Sequence, residues 1–151
     1  MKNDSDGLKW ILSKHKDACV TGRTRLQKTV KVLQTLGFPT NYQFDIFHYG
    51  PYSEGITDDT LFLELLGDVE EKEHFSAKSG RQYYKITAKN AESENFLSDP
   101  SDCKKFTNYI SILEKTDPIP LELGATFLAY LKKRINVIRR TSKRQTSFLG
   151  N

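Results

Sequence analysis

The sequence predicts an α+β fold that is mainly helical, and three observations carry that prediction. Several segments repeat apolar residues at helical spacing. Two runs, Val69 to Lys78 and Gln82 to Thr87, flank Ser79-Gly80, a hairpin-turn pair, and the second is β-branched and aromatic. The 151 residues are enough for one domain with its own core, at the usual ~100–200 residues per domain. An aromatic fraction of 11% argues against wholesale disorder.

The elements follow in order. A first helix is expected from Gly7 to Lys16, with Leu8, Ile11, Leu12 and His15 on one face. Asp4, Ser5 or Asp6 can cap it, because their side-chain oxygens accept from the free N–H groups of a first turn. The second helix opens on Thr24 and Gln27, a capping-box pair, and carries Leu26, Val30 and Leu33. Gly37 stands where a left-handed C′ residue belongs, and Pro39 blocks continuation. Residues 43–49 alternate Phe44, Ile46 and His48 with Asp45, Phe47 and Tyr49, which reads as a short strand or an extended buried segment. Gly50-Pro51 breaks the chain. Ser53 can cap a third helix carrying Ile56, Leu63 and Leu66, with Gly67 ending it. After the hairpin, Ser101 can cap a helix with Cys103, Phe106, Ile110 and Leu113. Asp117-Pro118-Ile119-Pro120 is a break. A last helix then carries Leu121, Ala125, Leu128, Leu131, Ile135 and Ile138. This order fits a winged-helix-like core, helices plus a small β-hairpin wing, with a C-terminal helical extension. Residues 1–140 are expected to form one domain and 141–151 a basic flexible tail.

The net charge of +4 and a pI near 9.0 suggest a basic protein. The distribution says otherwise. Lys132, Lys133, Arg134, Arg139, Arg140, Lys143 and Arg144 give +7 from Leu123 onward, with no acid. Residues 1–122 are net −3. Within them, Arg23, Arg25, Lys28 and Lys31 make the second helix region +4. The span 54–73 is −7, from Glu54, Asp58, Asp59, Glu64, Asp68, Glu70, Glu71 and Glu73 against Lys72. Cys19 and Cys103 form no disulfide framework. The start has no apolar run of a signal peptide, and the most apolar stretch, 61–66, is far too short to span a bilayer. A reduced cytoplasmic protein with no membrane association is the expectation.

No catalytic or cofactor motif emerges. His15, His48 and His74 have no second His or Cys at i+3 or i+4, so no metal-ligand spacing exists. No phosphate-binding glycine loop and no Gly-x-Ser-x-Gly elbow occur. Pairings such as His48 with Ser53, or Cys19 with a distant His, arise by chance in any chain of this size. Asp58 and Asp59 are adjacent, so on a helix they diverge by about 100° and cannot share one proton site. The expected protein is not an enzyme and takes no cofactor. The block that stands out is His48-Tyr49-Gly50-Pro51-Tyr52-Ser53. It reads either as a rigid corner docking the third helix or as a tyrosine contact surface.

Arg25-Leu26-Gln27-Lys28, then Phe44-x-Ile46-x-x-Tyr49-Gly50-Pro51-Tyr52-Ser53, then a helix ending Leu66-Gly67, resembles the Panacea (SocA-like) antitoxin domain. It resembles still more the small YwgA-like proteins of bacteria and archaea, which end a wing strand on Leu-Thr-x-x-Gly. Here that end is Ile86-Thr87-Ala88-Lys89-Asn90, and Leu121-Glu122-Leu123-Gly124-Ala125-Thr126 resembles that group's last helix. The resemblance covers roughly residues 7–132, and Thr29-Val30-Lys31 departs from the apolar-aromatic continuation usual in Panacea. It implies a prokaryotic, non-catalytic domain that neutralises a partner toxin by direct contact.

Two readings of function follow. In the first, the chain is a regulatory protein-interaction module, antitoxin-like, binding a protein partner such as a cognate toxin through Tyr49, Tyr52, Glu54, Asp58, Asp59 and Glu64. Oppositely charged patches on one small body orient a charged partner. In the second, it is a nucleic-acid-binding regulator, with weak DNA or RNA binding. The third helix carries acids and no Lys or Arg, so it would meet a polyanion with the wrong sign. Binding would instead use Arg23, Arg25, Lys28 and Lys31, the wing residues Lys78, Arg81 and Lys85, or Arg139, Arg140, Lys143 and Arg144. It would be led by phosphate contacts.

Overall fold

The computed structural model describes residues 3–47, 50–90, 95–116 and 139–144. The chain divides into two compact units, Met1–Pro118 and Ile119–Asn151. The expected last helix, residues 121–138, lies outside the described residues. In the second unit, residues 139–144 are helical and exposed, and the rest of the expected tail is likewise not described.

The first unit is α+β. It runs α1 (Asp4–Ser13), a 3₁₀ turn (Lys16–Ala18), β1 (Cys19–Thr21), α2 (Arg23–Thr35), β2 (Asp45–Phe47) and β3 (Gly50–Tyr52). Then come α3 (Glu54–Leu65), β4 (Val69–Phe75), β5 (Gln82–Ala88) and α4 (Pro100–Glu114). Strands β1, β5 and β4 form an antiparallel sheet in that order, with Val20 opposite Ile86 and Glu71 opposite Ile86 from the other side. β2 and β3 make a separate hairpin, with Asp45 opposite Tyr52. Its two connecting residues, His48 and Tyr49, lie outside the described residues.

The helices bury the faces their periodicity marks. Leu8, Ile11 and Leu12 of α1, Leu26, Val30 and Leu33 of α2, and Phe106, Ile110 and Leu113 of α4 are all in the core. Phe38 is its aromatic centre, 5.5 Å from Trp10, 5.5 Å from Phe96 and edge-on to Phe106 at 5.2 Å. Phe38 reaches that place through the helix end before it. Gly37 has φ 105°, and the N–H groups of Phe38 and Gly37 donate to the carbonyls of Leu33 and Gln34. This is a Schellman closure, which needs the left-handed residue glycine supplies and sends the next apolar side chain back to the helix. Gly7 has a different constraint. A Cβ there would come within 2.7 Å of Thr40 and 2.8 Å of Phe96, so α1 sits against the loop after α2 only without one.

Several expectations are corrected. α1 begins at Asp4 and ends at Ser13. Its N-cap is Asn3, with no side-chain capping bond, and Asp4 instead accepts from the N–H of Asn41. Thr24 and Gln27 make no capping box; α2 starts at Arg23 behind Gly22, again without a side-chain cap. Ser53 is at the N-cap of α3 but gives no capping bond. Asp99, rather than Ser101, caps α4 by accepting from the N–H of Ser101. β1 was not foreseen.

Gln27 does something else. It is 6% exposed, and its amide nitrogen donates to the carbonyl of Ser53 at 3.0 Å while its amide oxygen accepts the Ser53 N–H at 2.8 Å. Gln34, two turns on, holds the backbone of Tyr42 the same way, with both bonds at 2.9 Å. At the foot of α1, His15 is buried with Nδ1 2.8 Å from the Ile11 carbonyl. Burial pushes its pKa down, against the pull of the Ile11 carbonyl and Glu114, and Arg25 adds to the lowering.

Two outcomes are expected. Gln27→Leu keeps the volume but leaves the buried Ser53 N–H without a partner. It also takes one of the two donors from the Ser53 carbonyl, which as N-cap still accepts the first bond of α3. It should cost about 2–3 kcal/mol, read as a lower urea midpoint with an unchanged slope. His15 is held neutral by the fold, so its stabilising contribution is complete above the unfolded value of 6.5 and is lost as pH falls below it. Wild-type stability should therefore drop more than that of His15→Gln between about pH 7.5 and about pH 5; equal losses would refute the assignment.

Candidate functional site: the outward face of α3

A helix buries what its neighbours cover, and α3 has more apolar residues than its neighbours cover. Ile56, Thr60 and Leu63 point inward and are buried. At 100° per residue, Glu54, Asp58, Leu61 and Leu65 fall on the opposite stripe, with Phe62 beside it. Leu61 is 56% exposed, Phe62 48%, Leu65 78% and Leu66 58%. Leu66 was expected inside with Ile56 and Leu63; it is the C-cap, turned out as Gly67 closes the helix. Full burial of such a side chain stabilises by about 1.5–3 kcal/mol, so this row leaves a large part of its hydrophobic free energy unused. Exposed apolar side chains gathered on one helix face are a candidate contact surface.

The acids around it divide into two groups. Asp68 pairs with Lys9 at 3.4 Å, Glu70 with Lys72 and Lys89, and Glu71 with Arg23. Asp59 is half-buried and accepts from the Tyr42 hydroxyl at 2.6 Å. Burial pushes the Asp59 carboxyl up; the Tyr42 bond opposes this, and the charges of Asp4 and Asp58 add to the rise. Asp59 thus serves the internal structure and lies apart from the outward stripe. Glu54, Asp58, Glu64 and Glu73 form no ion pair among the described residues, and the first three lie on α3.

A cleft of about 360 Å³ runs along one flank of this face, between α2, α3 and the sheet. Leu26, Ile56 and Ile86 line its buried part, and Tyr52, Leu61 and Glu64 are among its more exposed walls. Tyr52 is half-buried with its hydroxyl 2.9 Å from Thr57 Oγ1. Tyr49, the other tyrosine of the corner, is not among the described residues.

The cations of the second helix are largely engaged. Arg23 pairs with Glu71 and lies 3.7 Å over the Tyr84 ring, and the Glu71 bond raises its pKa first. Arg25 donates to the carbonyls of Leu113 and Thr116 at the end of α4, at 3.2 and 2.9 Å. It thereby satisfies carbonyls a helix C-terminus leaves open. Lys31 sits over Phe44 at 5.0 Å. Burial, then Arg25, lowers the Lys28 pKa. Lys78, Arg81 and Lys85 are exposed on the β4–β5 hairpin, and Arg139, Arg140, Lys143 and Arg144 on the short helical stretch of the second unit. Among the described residues no group of three or more His, Cys, Asp or Glu could hold a metal, and no helix is long and apolar enough to cross a membrane.

The apolar row was missed in sequence. Its signal was the run Leu61-Phe62-Leu63-Glu64-Leu65-Leu66, in which five apolar residues out of six cannot all face one side of a helix.

Together these features define a small α+β protein with an apolar and acidic helix face left uncovered. No family model matches the chain, and no solved structure matches it. It is similar to the uncharacterized protein YwgA of Bacillus subtilis strain 168, with 28% identity over 114 residues. The match covers 74% of this chain and 66% of that protein's length, just under two thirds.

Arg25→Ala should cost about 1–2 kcal/mol by opening the α4 carbonyls, whereas Arg81→Ala on the exposed hairpin should stay within about 0.5 kcal/mol. Thermal denaturation of the two variants checks the contrast.

Proposed function

We propose that this chain is a non-enzymatic protein-interaction module that docks a protein partner on the outward face of α3. The observation that carries the reading is the exposed row Leu61, Phe62, Leu65 and Leu66. Glu54, Asp58 and Glu64, which form no ion pair among the described residues, give the face beside it a sign, which favours one orientation of a charged partner. The Panacea resemblance adds a toxin-like protein as the class of partner, with neutralisation by direct contact as the consequence of binding.

The sheet order β1-β5-β4 and the succession α1, β1, α2, α3, β4, β5, interrupted between α2 and α3 by the β2–β3 hairpin, support the winged-helix-like reading of the core. In that arrangement α3 is the helix that enters a DNA major groove. Its exposed leucines and carboxylates suit a protein surface and repel phosphate. A nucleic-acid role would fall to the hairpin cations Lys78, Arg81 and Lys85, which are exposed beside Phe75.

Cross-linking in the native host, followed by recovery of the tagged chain, tests the reading. The double variant Leu61→Ser, Leu65→Ser should lose the wild-type partner while keeping its fold, because both side chains are already outside the core. Recovery unchanged from wild type would overturn it. Salt-sensitive binding to duplex DNA that Lys78→Ala with Arg81→Ala removes would favour the second reading instead.

A further inference from the structure

The docking face and the cleft share a residue. Leu61 belongs to the exposed row and also lines the cleft, so a segment lying on the row passes the cleft mouth. At that mouth stands Glu64, half-buried and without an ion pair among the described residues. Arg23, the guanidinium among the lining residues, pairs with Glu71, lies over Tyr84 and also feels the charge of Glu64. The cleft walls therefore carry two carboxylates against one guanidinium. Below them, Leu26, Ile56 and Ile86 make an apolar floor. An apolar channel with a carboxylate at its rim matches a long side chain with a methylene stem and a cationic head.

Resting on the docking reading above, we infer that the occupant of this face is a basic amphipathic helix of the partner protein. Its apolar stripe covers Leu61, Phe62 and Leu65, and one Arg or Lys at the edge of the stripe enters the cleft to pair with Glu64. Glu54 and Asp58, exposed along the same stripe of α3, meet further cations of that helix. Glu64 is then the residue that selects the sign of the partner, and the leucines supply the contact area.

Two synthetic amphipathic peptides test this. They share one leucine stripe; one carries arginines along its edges and the other glutamates. Fluorescence anisotropy with the full chain should show the arginine peptide binding at least about tenfold more tightly. Glu64→Gln should remove most of that preference, and Glu64→Arg should reverse it. Glu73→Gln, on β4, should leave it intact. Equal binding of the two peptides, or equal effects of Glu64→Gln and Glu73→Gln, would overturn the inference. Should Leu61→Ser with Leu65→Ser abolish both peptides in that case, the docking reading survives while the charge selection does not. If neither peptide binds, the inference fails and cross-linking alone judges the docking face. A dimer in sedimentation that Leu65→Ser dissolves would give the face to a second copy, and this too would overturn it.

Discussion

Two glutamine side chains on α2 hold the middle of the chain in place. Gln27 and Gln34 are seven residues apart, so they project from one side of the helix. Each offers an N–H and a C=O in one plane, which lets it pair with a single residue's backbone as a neighbouring strand would. Gln34 grips Tyr42 and Gln27 grips Ser53, so the hairpin between them is fixed at both ends. Ser53 is also the residue on which α3 begins. The direction of α3, the position of its outward face and the wall of the cleft all depend on that one buried amide.

This clamp also joins the two sequence fragments that carry the family resemblance. Leu26-Gln27-Lys28 is on α2, and Pro51-Tyr52-Ser53 leads into α3. They are distant in the chain and are bonded in the fold through Gln27 and Ser53. The Gly50-Pro51 pair, expected to break the chain as a corner, is instead part of strand β3, with Pro51 opposite Ile46 and Gly50 opposite Phe47. Ser53, held by Gln27, passes the chain from that hairpin to α3. Tyr52 adds a hydroxyl contact to Thr57 on the helix it introduces.

The parts legible in the sequence are those whose chemistry is local. Gly37 and Gly67 end helices because a left-handed residue is needed within two positions of the last turn. The β4–β5 hairpin declares itself through alternating strands around Ser79-Gly80. What was illegible depends on distant partners. β1 is three residues long and exists by pairing with β5, Cys19 facing Thr87. Gln27 sits at capping-box spacing, yet the backbone it serves lies 26 residues away. The charge count failed similarly. Segment totals of −7 and +4 place Glu71 and Arg23 on opposing patches, whereas the fold makes them one neutral pair over Tyr84. The acidic face that survives is smaller, made of Glu54, Asp58 and Glu64 on α3 and mixed with leucines, with Glu73 left on β4.

The sheet order bears on how the chain comes to be folded. β5 is the central strand, and it is the last of the three in the sequence. Until residue 88 has left the ribosome, β1 has no neighbour and β4 has none on its inner edge. The helices α1, α2 and α3 must wait beside an unfinished sheet, since the strand contacts span most of the first unit and closing so long a loop is slow. Closure of the sheet during synthesis is therefore late and set by the arrival of one strand, and the core around Phe38 closes later still, when Phe96 and α4 follow. A chain truncated before Gln82 should be a substrate for chaperones and proteases rather than a partial fold.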